Sequence, residues 1–348
     1  MHIKVSVKKK YKDFELDAAF ETGNKRTGIL GASGCGKSLT LKSIAGLVRP
    51  DEGQITFDDR VMFDHEKKID IIPQKRKTGY LFQEYALFPN MTVRENIHAA
   101  LCGVSKNWNR PEYIAKSDEM IKKTGLWEVR DHRPHEISGG QKQRCALARM
   151  LVNDPDLLLL DEPFSAMDAF LREGMRLELI KILEDCGKTA IIVSHDRDEL
   201  YQMCDRLVLM DNGKVIGQGK TEDVFKNPKT TKAARLTGCK NISRIERLDK
   251  HRVRALDWNN AELVTDEEIE DTVTHIGIRA HDLIAGEHGE NVIKCGQVSV
   301  SDLPFERYVT LENGLWWKLP KELFSDQAKF TVPQCISIPP DKIIPLSG

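Results

Sequence analysis

The chain has 348 residues, is 40% hydrophobic and carries a formal net charge of −1. That length allows two or three domains and a large core, and the composition is that of an ordinary soluble globular protein. No strongly basic field exists to hold nucleic acid, so that partner class is set aside. No apolar run reaches transmembrane length and no signal-peptide pattern opens the chain, so any membrane association is expected to run through other subunits. The eight cysteines show no C-x-x-C pair and no metal-ligand spacing, which points to reduced thiols in a cytosolic compartment.

Taken in chain order, the first pattern is alternation. Ile3, Val5 and Val7, followed by Phe14 and Leu16, predict an antiparallel hairpin or meander. The lysines at Lys8, Lys9, Lys10 and Lys12 read as a solvated strand edge. Thr27–Leu30 is a short apolar strand entering a glycine-rich loop, and Leu39–Leu47 predicts a helix stopped near Gly46 and Pro50. Ile55–Phe63 gives further short strands that turn at Asp58 and Asp59.

From Thr92 to about Gly125 the pattern is helical and more polar, broken at Gly103 and Pro111. This predicts a helical subdomain, over about 90–155, inserted into an α/β core. Leu157–Leu160 is a continuous apolar run, as expected of a strand buried on both faces of a parallel sheet. Ala190–Val193 and Leu207–Met210 are two more, with helical patterns between them, which argues for an α/β fold. Near Asn227 and Pro228 the character changes, and beyond Gly238 short strands and turns dominate. Ile276–Ile278 leading to Asp282–Ile284 is echoed by Ile336–Ile338 leading to Asp341–Ile343, which suggests a duplicated β-barrel module. The expected domains are 1–235 and a β-rich 236–348.

The chemistry concentrates in the first domain. Gly31-Ala32-Ser33-Gly34-Cys35-Gly36-Lys37-Ser38 fits G-x-x-x-x-G-K-[ST] in a strand–loop–helix context. Its glycines let backbone N–H groups turn inward around phosphate oxygens, and the following helix points its positive end there. Gly31, Ser33, Gly34, Cys35, Gly36, Lys37, Ser38 and Leu39 are thus expected to hold the phosphates of ATP. Lys37 would reach the β- and γ-phosphates and Ser38 would ligate Mg²⁺. Cys35 reads as a small residue tolerated inside the loop. Asp161 ends an apolar strand, where ligands of open α/β sheets bind, and would hold Mg²⁺. Glu162 beside it is the natural general base for the attacking water. Gln83 would contact Mg²⁺ or that water through its amide oxygen. His195, after Ile191-Ile192-Val193-Ser194, would hydrogen-bond the γ-phosphate. Ser138, Gly139, Gly140 and Gln141 open another helix and form a second anion site. One chain needs only one such site per phosphate chain, whereas two chains arranged head to tail need both.

These segments, in this order, resemble the nucleotide-binding subunit of an ABC importer over residues 1 to about 235. Ile137 and Met167 stand where that family usually has Leu. The resemblance implies a homodimer in which each Ser138–Gln141 segment covers the partner's ATP. It places Asp168 in the loop crossing the interface and an aromatic residue, Tyr11 or alternatively Phe14, on adenine. Leu81–Pro89 resembles the segment forming the groove for a membrane subunit's coupling helix. The implied assembly includes transmembrane permease subunits and an extracytoplasmic substrate-binding protein, with this chain peripheral on the cytoplasmic face. Ile72–Tyr80 resembles the molybdate and sulfate branch, and Leu236–Asn241 with Ile276–Arg279 resembles its β-rich accessory domain, so an oxyanion is the expected cargo, molybdate first, then tungstate or sulfate. A sugar, polyamine or iron is the alternative. A soluble ABC ATPase of DNA repair or translation, or a nucleotide-binding regulator without hydrolysis, fits less of the pattern.

Overall fold

The computed structural model describes residues 1–23, 25–102, 108–165, 167, 169–320 and 332–348. The expected helix break at Gly103 and the interface residue Asp168 lie outside those residues. The chain divides into two compact units, Met1–Thr221 and Glu222–Gly348.

The first unit begins with strands β1 (Ile3–Lys10), β2 (Glu15–Thr22) and β3 (Arg26–Gly31), then helix α1 (Lys37–Ala45). Strands β4 (Glu52–Phe57), β5 (Arg60–Asp64), β6 (Ile69–Asp70) and β7 (Thr78–Leu81) follow. The helical segment comprises α2 (Val93–Cys102), α3 (Pro111–Lys123) and α4 (Gly139–Leu151). The core resumes with β8 (Leu157–Asp161), α5 (Ala169–Cys186), β9 (Thr189–Ser194), α6 (Arg197–Met203), β10 (Arg206–Asp211) and β11 (Lys214–Lys220). One sheet takes all eleven strands in the order β6-β5-β4-β1-β2-β11-β10-β3-β9-β8-β7. Strands β10, β3, β9, β8 and β7 run parallel, while β1 pairs antiparallel with both β2 and β4.

Alternation in β1 buries Ile3, Val5 and Val7 on one face, as period two requires. β1 is nevertheless an interior strand, not an edge. Its lysine run lies toward the strand's end, where Lys9 Nζ meets Asp51 Oδ1 at 2.7 Å. Strands β8 and β9 are buried throughout, as strands covered on both faces must be. Helix α1 ends at Gly46 with φ 78°, a left-handed C-cap. The buried Arg76 guanidinium donates to Ser43 O and Ile44 O, both at 2.9 Å, placing a cation where the helix dipole favours one. Among the described residues the helical segment has its own core, including Val93, Ile97, Ile121, Leu126 and Ile137.

The second unit carries most of α7 (Thr221–Lys226), then α8 (Thr231–Leu236) and strands β12 (Asn241–Arg247), β13 (Arg252–Ala255), β14 (Ala261–Val264) and β15 (His275–Ile278). Then come β16 (Ile284–Ala285), β17 (Val292–Lys294), β18 (Val298–Asp302), β19 (Glu306–Leu311), β20 (Trp316–Pro320), β21 (Cys335–Ser337) and β22 (Ile344–Leu346). Its sheets are β14-β13-β12-β15-β22, β16-β21-β17 and β18-β19-β20. The unit starts ahead of the expected 235/236 boundary because α8 packs into it: Ala234 shares a cluster with Cys239, Ile344 and Leu346. The strands that open the two echoed segments, β15 and β21, fall in different sheets, yet the segments meet in one core through Ile276, Ile278, Leu283, Ile336, Ile338 and Ile343.

Candidate functional site

The glycine-rich loop leaves β3 and enters α1 as expected. Gly36 has φ 104°, and a Cβ there would come within 3.0 Å of Leu16 and Phe14, so both backbone and space demand glycine. The loop is tied to the β10–β11 turn by Gly213 N donating to Cys35 O at 3.0 Å. The Cys35 thiol is buried, and that burial raises its pKa despite nearby Lys37, so it is a poor nucleophile at neutral pH.

Lys37 is almost fully buried. Its Nζ donates to Gly31 O at 2.9 Å and Ala32 O at 3.0 Å, and lies 4.0 Å from Glu162 Oε1. Ser38 Oγ donates to Asp161 Oδ1 at 2.6 Å. These are two hard oxygen groups at the mouth of a phosphate loop, a donor set suited to Mg²⁺ completed by phosphate and water. Tyr80 OH donates to the other carboxylate oxygen, Asp161 Oδ2, at 2.8 Å. Glu162 adopts φ 49°, unusual for a residue with a side chain, and its N–H donates to Val193 O at 3.0 Å. That link to β9 keeps Glu162 beside His195, whose Nδ1 is 2.9 Å from Glu162 Oε2. Strand pairing β3-β9-β8 thus brings Lys37, Ser38, Asp161, Glu162 and His195 into one cluster.

The other expected residues stand apart from that cluster. Gln83 is exposed just beyond β7. Tyr11 is exposed in the β1–β2 turn with Lys9 Nζ 5.8 Å from its ring centroid, while Phe14 leans on the core beside Gly36. Ser138 caps α4: its Oγ accepts from Gln141 N at 3.3 Å, and Gln141 Oε1 accepts from Ser138 N at 2.8 Å, a reciprocal capping box. A Cβ added at Gly139 would meet nothing within 4 Å.

Several residues around the site escaped the sequence reading. Gln143, fully buried in α4, donates to Pro163 O at 3.0 Å, so the helix behind Ser138 is joined to the turn after Glu162. Glu199 is buried in α6 and accepts from Ser194 Oγ at 2.8 Å; desolvation raises its pKa despite that bond, with Glu162 among the charges adding to the rise. Arg149, in the last turn of α4, donates to Tyr85 O and Ala86 O at 2.8 Å each. Those two residues have φ of 61° and 45°, so the guanidinium holds a loop the backbone would not choose. A groove of about 950 Å³ lies over this loop, lined by Tyr80, Phe82, Phe88, Ala99, Arg149 and Met150 among others. No paired polar spacing announces Gln143 or Arg149 beyond their place in the α4 run Gln141–Arg149.

No helix among the described residues is long and apolar enough to cross a membrane. All eight cysteines are free thiols.

Residues 16–165 match the family described as ABC transporter. Among curated relatives, the glucose import ATP-binding protein GlcV of Saccharolobus solfataricus is 42% identical over 62% of this chain and 60% of its own length. The spermidine/putrescine import ATP-binding protein PotA of Chromobacterium violaceum is 40% identical over 68% of this chain and 64% of its own. The molybdenum import ATP-binding protein ModC of Rhodospirillum rubrum is 38% identical over 61% and 56%. The match thus spans less than two thirds of each of these relatives. Sugar, polyamine and molybdenum importers stand at similar identity, so the expected preference for molybdate gains no support. Among solved structures, CbiO1 of Clostridium perfringens, part of the ABC transporter complex cbiONQ, aligns with TM-score 0.55 at 30% identity over 64% of this chain and 90% of that one. The ATP-binding cassette MJ0796, a dimer in a post-hydrolysis state with ADP and Pi, aligns with TM-score 0.53 at 29% identity over 64% and 99%. With a phosphate loop, an acidic strand end and a capped Ser138 helix in its first unit, the chain belongs, through that unit, to the ABC transporter ATP-binding domains.

Proposed function

We propose that this chain is the ATP-hydrolysing subunit of a solute importer, working as a homodimer beneath transmembrane permease subunits. The observation that carries the reading is the Glu162 carboxylate, with Lys37 Nζ 4.0 Å from one oxygen and His195 Nδ1 2.9 Å from the other. A base in that position is flanked by the cation that would draw in the γ-phosphate and by a ring that would orient it. Gly31 to Leu39 would wrap the phosphates, with Lys37 leaving its loop carbonyls for phosphate oxygens. Ser38 and Asp161, with Gln83 after loop movement, would hold Mg²⁺, which would supply neutralisation of the phosphate charge. Glu162 would take the proton of the attacking water while His195 hydrogen-bonds the γ-phosphate.

Ser138, Gly139, Gly140 and Gln141 would cover the ATP of a second copy, with the N–H groups of Gly139 and Gly140, which the capping box leaves open, meeting its γ-phosphate. Asp168 would lie at that interface and Tyr11 would stack on adenine. The exposed Gly139, and the dimeric MJ0796 bound to ADP and Pi, support this arrangement. The groove beside Phe82 and Phe88 would receive a cytoplasmic segment of the permease, with the chain peripheral at the cytoplasmic face of the membrane. Solute would be delivered to the permease by an extracytoplasmic binding protein. The cargo is a small solute; an oxyanion remains one choice beside sugars, polyamines and iron.

The test is ATP turnover by the purified chain. Wild-type protein should release phosphate from ATP only with Mg²⁺ present, and Lys37→Ala should lose that turnover. Unchanged turnover in Lys37→Ala would place the nucleotide elsewhere.

A further inference from the structure

Tyr80 touches two regions at once. Its hydroxyl donates to Asp161 Oδ2 at 2.8 Å, while Ser38 Oγ occupies Oδ1 at 2.6 Å. Its ring lines the 950 Å³ groove and lies 4.5 Å, centroid to centroid, from the ring of exposed Phe82. Asp161 itself is nearly fully buried, so each of its oxygens needs a donor. When Ser38 turns its oxygen to a cation, Tyr80 is the described donor that keeps the carboxylate plane fixed. Hydrogen-bonded partners behind a metal ligand set its orientation and are worth about 10–100-fold in metal affinity.

We propose that Tyr80 is a positioning residue that links the groove to the cation site: its hydroxyl orients Asp161, and the cytoplasmic permease segment of the proposed assembly, seated against Tyr80 and Phe82, changes that orientation and so the affinity for divalent cation. This rests on the function proposed above. Close packing makes the link direct. A ring wedged between the groove and the core cannot shift without carrying its hydroxyl along. The path crosses one side chain, whereas Gln83, the residue expected from the sequence to contact Mg²⁺ or the attacking water, is exposed and two residues beyond the strand.

The experiment uses Mn²⁺ as the probe and ADP as a non-turning-over nucleotide. Free Mn²⁺ is followed by electron paramagnetic resonance for the full chain and for Tyr80→Phe, which loses one oxygen and keeps the ring. Tyr80→Phe should bind Mn²⁺ about 10–100-fold more weakly, with metal-free ADP affinity unchanged. The same titration on the assembled transporter should show a shifted Mn²⁺ affinity relative to the free subunit for wild type and no shift for Tyr80→Phe. Equal Mn²⁺ affinity in the two free proteins overturns the positioning role. An equal shift on assembly overturns the link to the groove. If wild type with ADP takes up no Mn²⁺, the nucleotide-site reading fails, a result separate from either.

Discussion

His195 Nδ1 lies 2.9 Å from Glu162 Oε2, across the ends of two neighbouring parallel strands. The carboxylate is mostly buried and the ring half-exposed, so the pair joins the interior to the surface where a phosphate would arrive. Proton transfer by a positioned carboxylate contributes about 10²–10⁴-fold to rate. Glu162→Gln should therefore cut ATP turnover by about that factor while still binding ATP. Since hydrolysis would release the dimer, the variant should also accumulate as an ATP-bound dimer in size-exclusion chromatography. A monomeric Glu162→Gln protein with wild-type turnover removes the assignment.

Gly139 offers a separation of stability from function. A Cβ at this position meets nothing in the chain, and an acidic side chain in a helix's first turn suits the dipole. Gly139→Asp should thus leave thermal stability within about 0.5 kcal/mol of wild type. The same carboxylate would face the partner's phosphates and should lower turnover by about 10²–10³-fold, the scale of losing an oxyanion contact. Parallel melting curves and ATPase assays read both effects. Undiminished turnover would argue against the trans arrangement.

Arg149 holds Tyr85 and Ala86 in left-handed conformations through their carbonyls. Hydrogen bonds from charged groups are worth about 1.5–3 kcal/mol. Arg149→Met keeps much of the stem and removes both bonds. It should destabilise the protein by about that amount and expose the 82–89 loop to limited proteolysis. A loop as resistant as wild type would mean the strain is held elsewhere.

Glu199 sets a pH dependence. Burial raises its folded-state pKa above the ordinary 4.5. Its contribution is therefore fully present below the unfolded value and is lost as pH rises through the folded one. Glu199→Gln, which cannot ionise, should gain melting temperature relative to wild type as pH is raised from about 4.5 toward neutrality. A difference between the two proteins that stays flat over that range would show that the carboxyl is ionised in both states.

Much of the site was legible because its parts are local. The phosphate loop, the acidic end of β8 and the capping box at Ser138 are each written within a few consecutive residues. The β1–β2 hairpin and the helix stop at Gly46 are equally local. The unread residues act over distance. Tyr80 meets Asp161 81 positions away, and Arg149 meets Ala86 63 positions away. A tyrosine in a strand or an arginine in a helix has no pattern that announces such a partner. The lysine run was misread as an edge because periodicity reports which face of a strand is wet, not how many neighbours it has.

The amino-acid sequence by itself determined the elements that carry the chemistry, since glycine conformations, strand hydrophobicity and helix caps are settled between near neighbours. The tertiary structure decided which of those elements meet. Parallel pairing places β9 between β3 and β8, out of chain order, because each crossover helix must pack back onto the sheet. Only that order sets His195 and Lys37 on the two oxygens of Glu162, and only the burial it creates leaves Asp161 dependent on Tyr80.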